Sequence, residues 1–539
     1  MSKNLRFILT ALLVLLIAAT GLYVGVVHPN DARMGPVWDG PLKRLAPRVT
    51  PVASLFASRL PIAMDVSQGR FEQQRARLEK SLPGVMVRSR RFTSPFQIYL
   101  PVGRYPIRLD ARDAVFIPEG ATVSVTPGLV GRYEVRFALM PLQEKAAVKV
   151  ATRLGGPVST LELRQKHGAP NTDGRWYRAV GRYLDVDPID RLDEWETQRF
   201  QVTFQAGDSL RLTCENAPLG CAVSDVEFYA DSAPSAKNVL IIMVDTLRGD
   251  ALAAGNAPRM QRLAQDSVLF DRALAGGNMT SPSTNAFLSC RLPSQLGSVA
   301  FSYGVSTADR EKYYEHRKPS FPGRFEAARY DTAMIGNVSV ISEIFGVGIN
   351  HGFRRQISLE VDAYDTPAIA RDAVRWLERN GDHPFFLYLH FNGPHAPYRA
   401  PLADLSRTFP GMGVFASYAR VLHWLYQGEV SYTDRYVGQV LDALKDLGLD
   451  QSTVVVVTAD HGDQHTNRHF APNEAAPSFT GAYFDHGATL LNDEIHVPLL
   501  FHVPGLAPRR VKDFVSTIDT GATLLDYFGI PGGRECSGR

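Results

Sequence analysis

The chain has 539 residues, with 58 Lys or Arg against 55 Asp or Glu, for a formal net charge of +3. That length exceeds one ordinary core and predicts two or more domains. Apolar residues at 45% and charged residues at 21% are those of a globular protein, and without a Lys/Arg block nothing in the charge supports nucleic-acid binding.

In chain order the first element is apolar. "MSKNLR" carries Lys3 and Arg6, and "FILTALLVLLIAATGLYVGVV" (7–27) follows without a charge. That run is long enough to cross a bilayer and exceeds the usual apolar stretch of a cleaved signal. Residues 1–27 are expected to be an uncleaved, single-pass anchor in the inner (cytoplasmic) membrane. The basic flank would stay inside and leave the bulk of the chain periplasmic or extracellular. "IAATG" keeps a cleaved signal open as the other reading. Residues 28–85 read as a Pro- and Arg-rich linker with a short polar helix over 68–82.

Residues 86–232 have a β texture, with short runs such as "QIYLPV", "YEVRFALM" and "QRFQVTF" between Gly, Pro and Asp. They predict a β-sandwich-like domain with no site of its own, a spacer first and a carbohydrate binder second. Cys214 and Cys221 flank the turn "ENAPLG", so in an oxidising compartment they are either a small loop disulfide or two free thiols. Cys290 and Cys536 have no partner that the sequence argues for.

After the short linker "DSAPSAK", residues 236–539 alternate strand and helix. "NVLIIMV", "YDTAMIG", "HPFFLYLHF" and "STVVVVTA" read as strands, the most apolar of them buried on both faces. "APRMQRLAQDSVLF", "DTPAIARDAVRWLERN" and "GEVSYTDRYVGQVLDALKDLG" have helical spacing. The predicted fold class is α/β, a mostly parallel sheet with helices on both faces. In "GGNMTSPSTNAFLSC" (276–290) a loop turns into a helix, with Ser281 placed to cap and Pro282 in the first turn. Thr280 precedes that cap, either as a second capping residue or as a reactive hydroxyl.

Ligands in such sheets bind beyond the carboxyl ends of the strands. Asp245, Asp460 and His461 follow predicted strands, and His390 and His395 lie at and after the end of another. Carboxylates with an imidazole suit a divalent ion: Mn²⁺, Mg²⁺, Zn²⁺ or Ca²⁺. Such an ion would lower the pKa of a Thr280 hydroxyl, and the helix N-terminus behind it would favour an anionic phosphate or sulfate.

From about residue 236 the chain resembles the sulfatase branch of the alkaline phosphatase superfamily. "NVLIIMVDTLRGD" resembles its opening strand with a metal-binding Asp. "NMTSPSTNAFLSCRLPSQLG" resembles the nucleophile segment, "LHFNGPHAPY" the substrate-side His motif, and "VVVVTADHGD" the second metal motif. "DHGATLLNDEIHVPLLFHVPG" resembles the closing segment. The resemblance implies metal ligands at Asp245, Asp460 and His461, with Thr280 both ligand and nucleophile. It implies His395 and His486 as groups on the substrate or its leaving oxygen. "GIPGGRECSGR" resembles a segment that in this family precedes a small C-terminal subdomain, here expected to be missing.

The departures matter as much. Sulfatases carry C-x-P-S-R or S-x-P-S-R, with the Cys or Ser oxidised to formylglycine; here those positions are Thr280-Ser281-Pro282-Ser283-Thr284. The methyl on the Thr Cβ bars that oxidation. Thr284 stands for the Arg, Asn337 for the Lys of a G-K-x-H strand end, and Cys290 has one residue too many before its Pro. An unmodified Thr is similar to the nucleophile of membrane-bound phosphoethanolamine transferases and lipoteichoic-acid-synthase-like enzymes. The expected function is a phosphodiesterase or a transferase of a phospho-alcohol headgroup working through Thr280. A sulfuric ester hydrolase is the alternative, and a non-catalytic envelope protein binding a glycan or lipid headgroup is the alternative of another class. The implied partners are an anionic ester, carried by a lipid headgroup or an envelope glycan, and the membrane through the anchor.

Overall fold

The computed structural model describes residues 51–81, 96–104, 108–143, 145–152, 156, 158–164, 195–230, 237–296, 320–337, 352–359, 366–411, 418–465, 486–487 and 489–538. The expected anchor over 1–27 and most of the linker lie outside the described residues. Among the described residues no helix is long and apolar enough to cross a membrane.

Twenty strands carry the fold among those residues. The first twelve are β1 (Ala53–Ser54), β2 (Ile62–Met64), β3 (Gln97–Arg104), β4 (Arg108–Ile117), β5 (Thr122–Val125), β6 (Gly131–Pro141), β7 (Lys145–Ala151), β8 (Val158–Arg164), β9 (Glu196–Phe204), β10 (Leu210–Glu215), β11 (Cys221–Ser224) and β12 (Glu227–Tyr229). The others are β13 (Asn238–Val244), β14 (Val268–Leu274), β15 (Asp331–Gly336), β16 (Arg355–Leu359), β17 (Phe385–Phe391), β18 (Thr453–Thr458), β19 (His496–His502) and β20 (Arg509–Ser516). The helices that matter are α1 (Gln68–Ser81), α2 (Pro258–Gln265), α3 (Thr280–Ser289), α4 (Phe321–Ala327), α5 (Thr366–Asn380), α6 (Leu402–Arg407), α7 (Tyr418–Asp446) and α8 (Asp519–Tyr527).

One sheet of 15 strands runs β1-β12-β6-β11-β4-β16-β15-β17-β13-β18-β19-β14-β20, with β3 also on β4 and β9 on β6. A second, of five strands, runs β2-β5-β10-β7-β8. The two pack face to face in the β-rich half, where Val123, Val148 and Leu212 of the smaller sheet share a core with Val115, Val135 and Phe228 of the larger. The β texture of that half was legible; its continuity with the rest was not. β4 pairs antiparallel with β16, Arg355 opposite Arg112, so the β-rich half extends the same sheet that holds the α/β half.

Strands β16, β15, β17, β13 and β18 are parallel neighbours. Their apolar runs are buried on both faces. On one face Leu240, Ile242 and Val455 meet Met260, Ala368, Leu405 and Val437 of α2, α5, α6 and α7. On the other, Ile241, Tyr388 and Val456 meet Phe287, Phe325 and Leu524 of α3, α4 and α8. β19 and β14 pair antiparallel, and β20 ends the sheet with Arg509, Arg510 and Lys512 exposed. Such charges discourage edge-to-edge pairing.

Two local expectations are corrected. "APRMQRLAQDSVLF" is not one helix: α2 stops at Gln265, and Val268 opens β14 after a turn at Asp266 and Ser267. Val268, Leu269 and Phe270 are strand formers, and pairing with β19 overrides the helical spacing. Cys290 and Cys536, left without partners by the sequence, form a disulfide across 246 residues. Packing of α8 against α3 brings them together, which no local pattern announces. Cys214 and Cys221 form the expected small-loop disulfide.

Candidate active site

Asp245 leaves the end of β13, and its amide donates to the Phe391 carbonyl of β17 at 2.8 Å. The next residue turns the chain sharply. Thr246 has φ of 58°, a conformation a β-branched residue seldom adopts. The turn aims the Thr246 amide at Asp460 Oδ1, 3.2 Å away. Tyr426 of α7 holds it by donating to the Thr246 carbonyl at 3.0 Å while accepting from the Arg248 amide at 2.9 Å. Asp460 follows β18 on the neighbouring strand, so both carboxylates sit over the same end of the sheet.

His461 completes the group. Its Nδ1 donates to the Gly462 carbonyl at 2.7 Å, which leaves the Nε2 lone pair free to bind. Nε2 lies 3.5 Å from both Asp245 Oδ1 and Asp460 Oδ2. Gly462 must be glycine, because a Cβ there would lie 2.2 Å from the Asp493 carbonyl oxygen. The three side chains are buried, with ligand atoms within 4.8 Å of one another.

Asp245 Oδ1 and Asp460 Oδ2 have no hydrogen-bond partner among the described residues. Burial, then Asp460 and Asp463, push the Asp245 carboxyl well above its ordinary range. Burial and then His486 hold His461 well below that of a free imidazole. Two crowded carboxylates and an unprotonated nitrogen fit a divalent ion, which neutralises the repulsion and requires deprotonated ligands.

Thr280 is the first residue of α3. The cap position is Met279, and no side chain caps the helix, so Ser281 does not cap as expected and lies inside the first turn. Thr280 is not a capping residue either. Its Oγ1 lies 3.3 Å from His461 Nε2, beside the metal cluster. A Cβ at Gly276 would lie 2.7 Å from Ala286 Cβ, so glycine lets the loop close onto the helix it feeds.

His395 and His486 also arrive here. The His486 ring lies 4.2 Å from that of His461 and 4.9 Å from that of His395. His395 Nδ1 is bonded to the Ala396 carbonyl, and burial followed by His486 lowers its pKa. The structure thus gathers Asp245, Thr280, His395, Asp460, His461 and His486 in one place.

Sequence reasoning missed Glu494 and Asn278, which support them, and named His390 without its partners. Glu494, fully buried, accepts from the amides of Gly487 and Thr489 and shapes the turn after His486. Asn278 donates to the Thr489 carbonyl at 2.7 Å and ties the same turn to the loop before Thr280. His390 takes the Tyr388 hydroxyl on Nδ1 at 2.9 Å and faces Asp245 Oδ2 with Nε2 at 3.9 Å; burial pushes it down to about 4, so it is neutral. Glu494 and His390 both lie inside the segments that carry the resemblance, but nothing local marks their partners. Arg248 is engaged by Asp250, Asp493 and the Asp463 carbonyl. Thr284 and Asn337, at the two positions where a sulfatase has cations, are buried with no hydrogen-bond partner for their side chains among the described residues.

The sulfatase family profile, described as "Sulfatase", matches residues 237–530. The iduronate 2-sulfatase of Homo sapiens is 25% identical over 401 residues, which cover 57% of this chain and 68% of the relative. The choline-sulfatase of Rhizobium meliloti (strain 1021) is 23% identical over 373 residues, covering 54% and 68%. Among solved structures, the phosphonate monoester hydrolase of Agrobacterium radiobacter aligns with a TM-score of 0.41 at 20% identity, covering 55% of this chain and 74% of that one. The chain belongs to the sulfatase family, hydrolases of the alkaline phosphatase superfamily that use a divalent metal ion.

Proposed function

We propose that the protein is a metal-dependent hydrolase of sulfate esters that works through the unmodified hydroxyl of Thr280. The observation that carries this is Thr280 Oγ1, uncapped at a helix N-terminus, 3.3 Å from His461 Nε2 in the Asp245–Asp460–His461 cluster. The curated relatives are named as sulfatases, which favours a sulfate ester over the headgroup transfer expected from the sequence. Asp245, Asp460, His461 and Thr280 would hold the ion. Once bound, it supplies positive charge that lowers the pKa of the hydroxyl and offsets charge on the ester oxygens.

The rest follows from the chain's own residues. Thr280 Oγ1, whose proton goes to solvent, attacks the sulfur, the bond from sulfur to the leaving oxygen breaks, and that oxygen takes a proton from the His486 or His395 imidazolium. Water then gives a proton back to that imidazole and attacks the sulfur of the Thr280 ester, the bond from sulfur to Oγ1 breaks, and hydrogen sulfate leaves. The amides of the first turn of α3, unsatisfied within the helix, face an anion at its N-terminus.

One observation favours a second reading. Thr280 cannot become formylglycine, and the neutral Thr284 and Asn337 replace two cations, so a phosphodiester, also a monoanion, suits the same site. The test is a direct comparison of kcat/KM for an aryl sulfate and the matching diaryl phosphate, with and without added ion. Faster ion-dependent cleavage of the sulfate supports the first reading. Faster cleavage of the diester assigns the second, and turnover of neither removes both.

A further inference from the structure

Asp463 lies two residues beyond His461, is 1% exposed, and takes no part in the metal cluster. A buried carboxylate is costly unless it is paired or hydrogen-bonded. This one is held on both oxygens. Oδ2 accepts from the Tyr398 hydroxyl at 2.5 Å and lies 3.5 Å from His465 Nε2. Oδ1 accepts from the Gln464 amide at 3.1 Å and lies 3.5 Å from His486 Nδ1.

The donors form a chain with one direction. Tyr398 has a single O–H, given to Asp463, so its oxygen accepts from His465 Nε2 at 2.9 Å. In neutral imidazoles, His465 Nδ1 then accepts from His423 Nδ1 at 3.3 Å. With its outer oxygen occupied in this way, Asp463 has Oδ1 for His486. The two candidate proton donors therefore have different neighbours: His395 Nδ1 is bonded to the adjoining Ala396 carbonyl, whereas His486 Nδ1 lies 3.5 Å from a carboxylate of another segment.

We propose that Asp463 is a positioning residue for His486. It holds the ring through Nδ1–H, so that Nε2, on the opposite edge, faces the leaving oxygen of the ester. The tilted contact with His461, with ring planes 41° apart, leaves the flip of the ring undetermined; the carboxylate selects one flip. This rests on the proposed function, in which an imidazole gives its proton to the leaving oxygen.

The test uses the ion-loaded protein, a double-mutant cycle and a spectrum. Asp463→Asn keeps the shape and should keep the ion and the melting temperature. Its kcat on an alkyl ester should fall about 10- to 100-fold with KM little changed, the range for outer partners of a functional imidazole. An aryl ester with a good leaving group should lose less. In a His486→Ala background the same change should cost less than about two-fold, because interacting residues are non-additive. Multiplying losses would overturn the proposal. Nitrogen-15 spectra of labelled imidazoles, assigned with His486→Gln, provide a readout free of turnover. Wild type should show neutral His486, the form left once Nε2 has given its proton, as the Nδ1–H tautomer, and Asp463→Asn should lose that preference. An Nε2–H tautomer in wild type would overturn the proposal whatever the activity. The expected spectrum in a protein that turns over no ester would instead sink the proposed function and leave Asp463 in place.

Discussion

Asp460→Asn should have opposite effects with and without metal. Asp245 and Asp460 are 1% and 2% exposed, and each has one oxygen without a partner among the described residues. In the ion-free protein burial and the neighbouring Asp460 push the Asp245 carboxyl well above its ordinary range. Asparagine keeps an Oδ1 to accept from the amides of Thr246 and His461, as the aspartate does at 3.2 and 2.8 Å, but removes one charge. Chelator-treated Asp460→Asn should therefore melt no lower than chelator-treated wild type. Adding the ion reverses the order. At an ion concentration one hundred times its Kd, binding stabilises the native state by about 2.7 kcal/mol. For the roughly 300 residues of the α/β half that corresponds to a rise of about 4 °C. Thermal unfolding across a titration of each of the four candidate ions, with elemental analysis of the dialysed protein, reads both effects. An equal rise in Asp460→Asn, or no rise in wild type with any ion, would refute the cluster as a metal site.

Other expectations follow from neighbouring contacts. Asp434 of α7 accepts from the amides of Arg259 and Met260 at 2.9 and 2.8 Å and so caps α2, whose own cap residue Ala257 has no side chain to do it. Asp434→Ala should cost about 1–2 kcal/mol in denaturant unfolding with metal content unchanged, whereas an unaltered midpoint would deny the cap. His383 is fully buried against Tyr229, and burial, with Arg136 and Arg199 against Glu227, lowers its pKa from 6.5 to about 4. The unfolded chain then binds the extra proton first, so stability is lost as pH falls from about 6.5 toward 4, by up to about 3 kcal/mol from this group. His383→Gln should flatten that part of the melting-temperature profile; identical slopes would contradict the assignment.

The elements of the α/β half were legible where one interaction dominates. Continuous apolar runs such as "NVLIIMV" mark strands buried on both faces, and the residue after each run falls at the sheet edge where ligands bind. Asp245 and Asp460 could therefore be placed from the sequence, with His461 beside them. What failed depends on distant partners. Cys290 meets Cys536 only after α3 and α8 pack, and β4 joins β16 across more than two hundred residues of chain. Ser281 looked like a cap because its residue type favours one, yet the chain enters the helix two residues earlier, at Met279. Asp463 and Glu494 stood inside quoted motifs, "ADHGD" and "NDEIHVP", but their partners His486 and Thr489 were not predictable from spacing.

The central claim is that Thr280 is the covalent nucleophile. Rapid-quench mass spectrometry of the peptide containing Thr280, during turnover of the preferred aryl ester, tests it most directly. The account predicts a sulfuryl group, or a phosphoryl group for a diester, on Thr280 in the steady state. It also predicts that Thr280→Ala loses nearly all turnover, on the order of a million-fold as for other essential nucleophiles, while retaining its fold. An unmodified Thr280 peptide together with near-normal turnover by Thr280→Ala would contradict it.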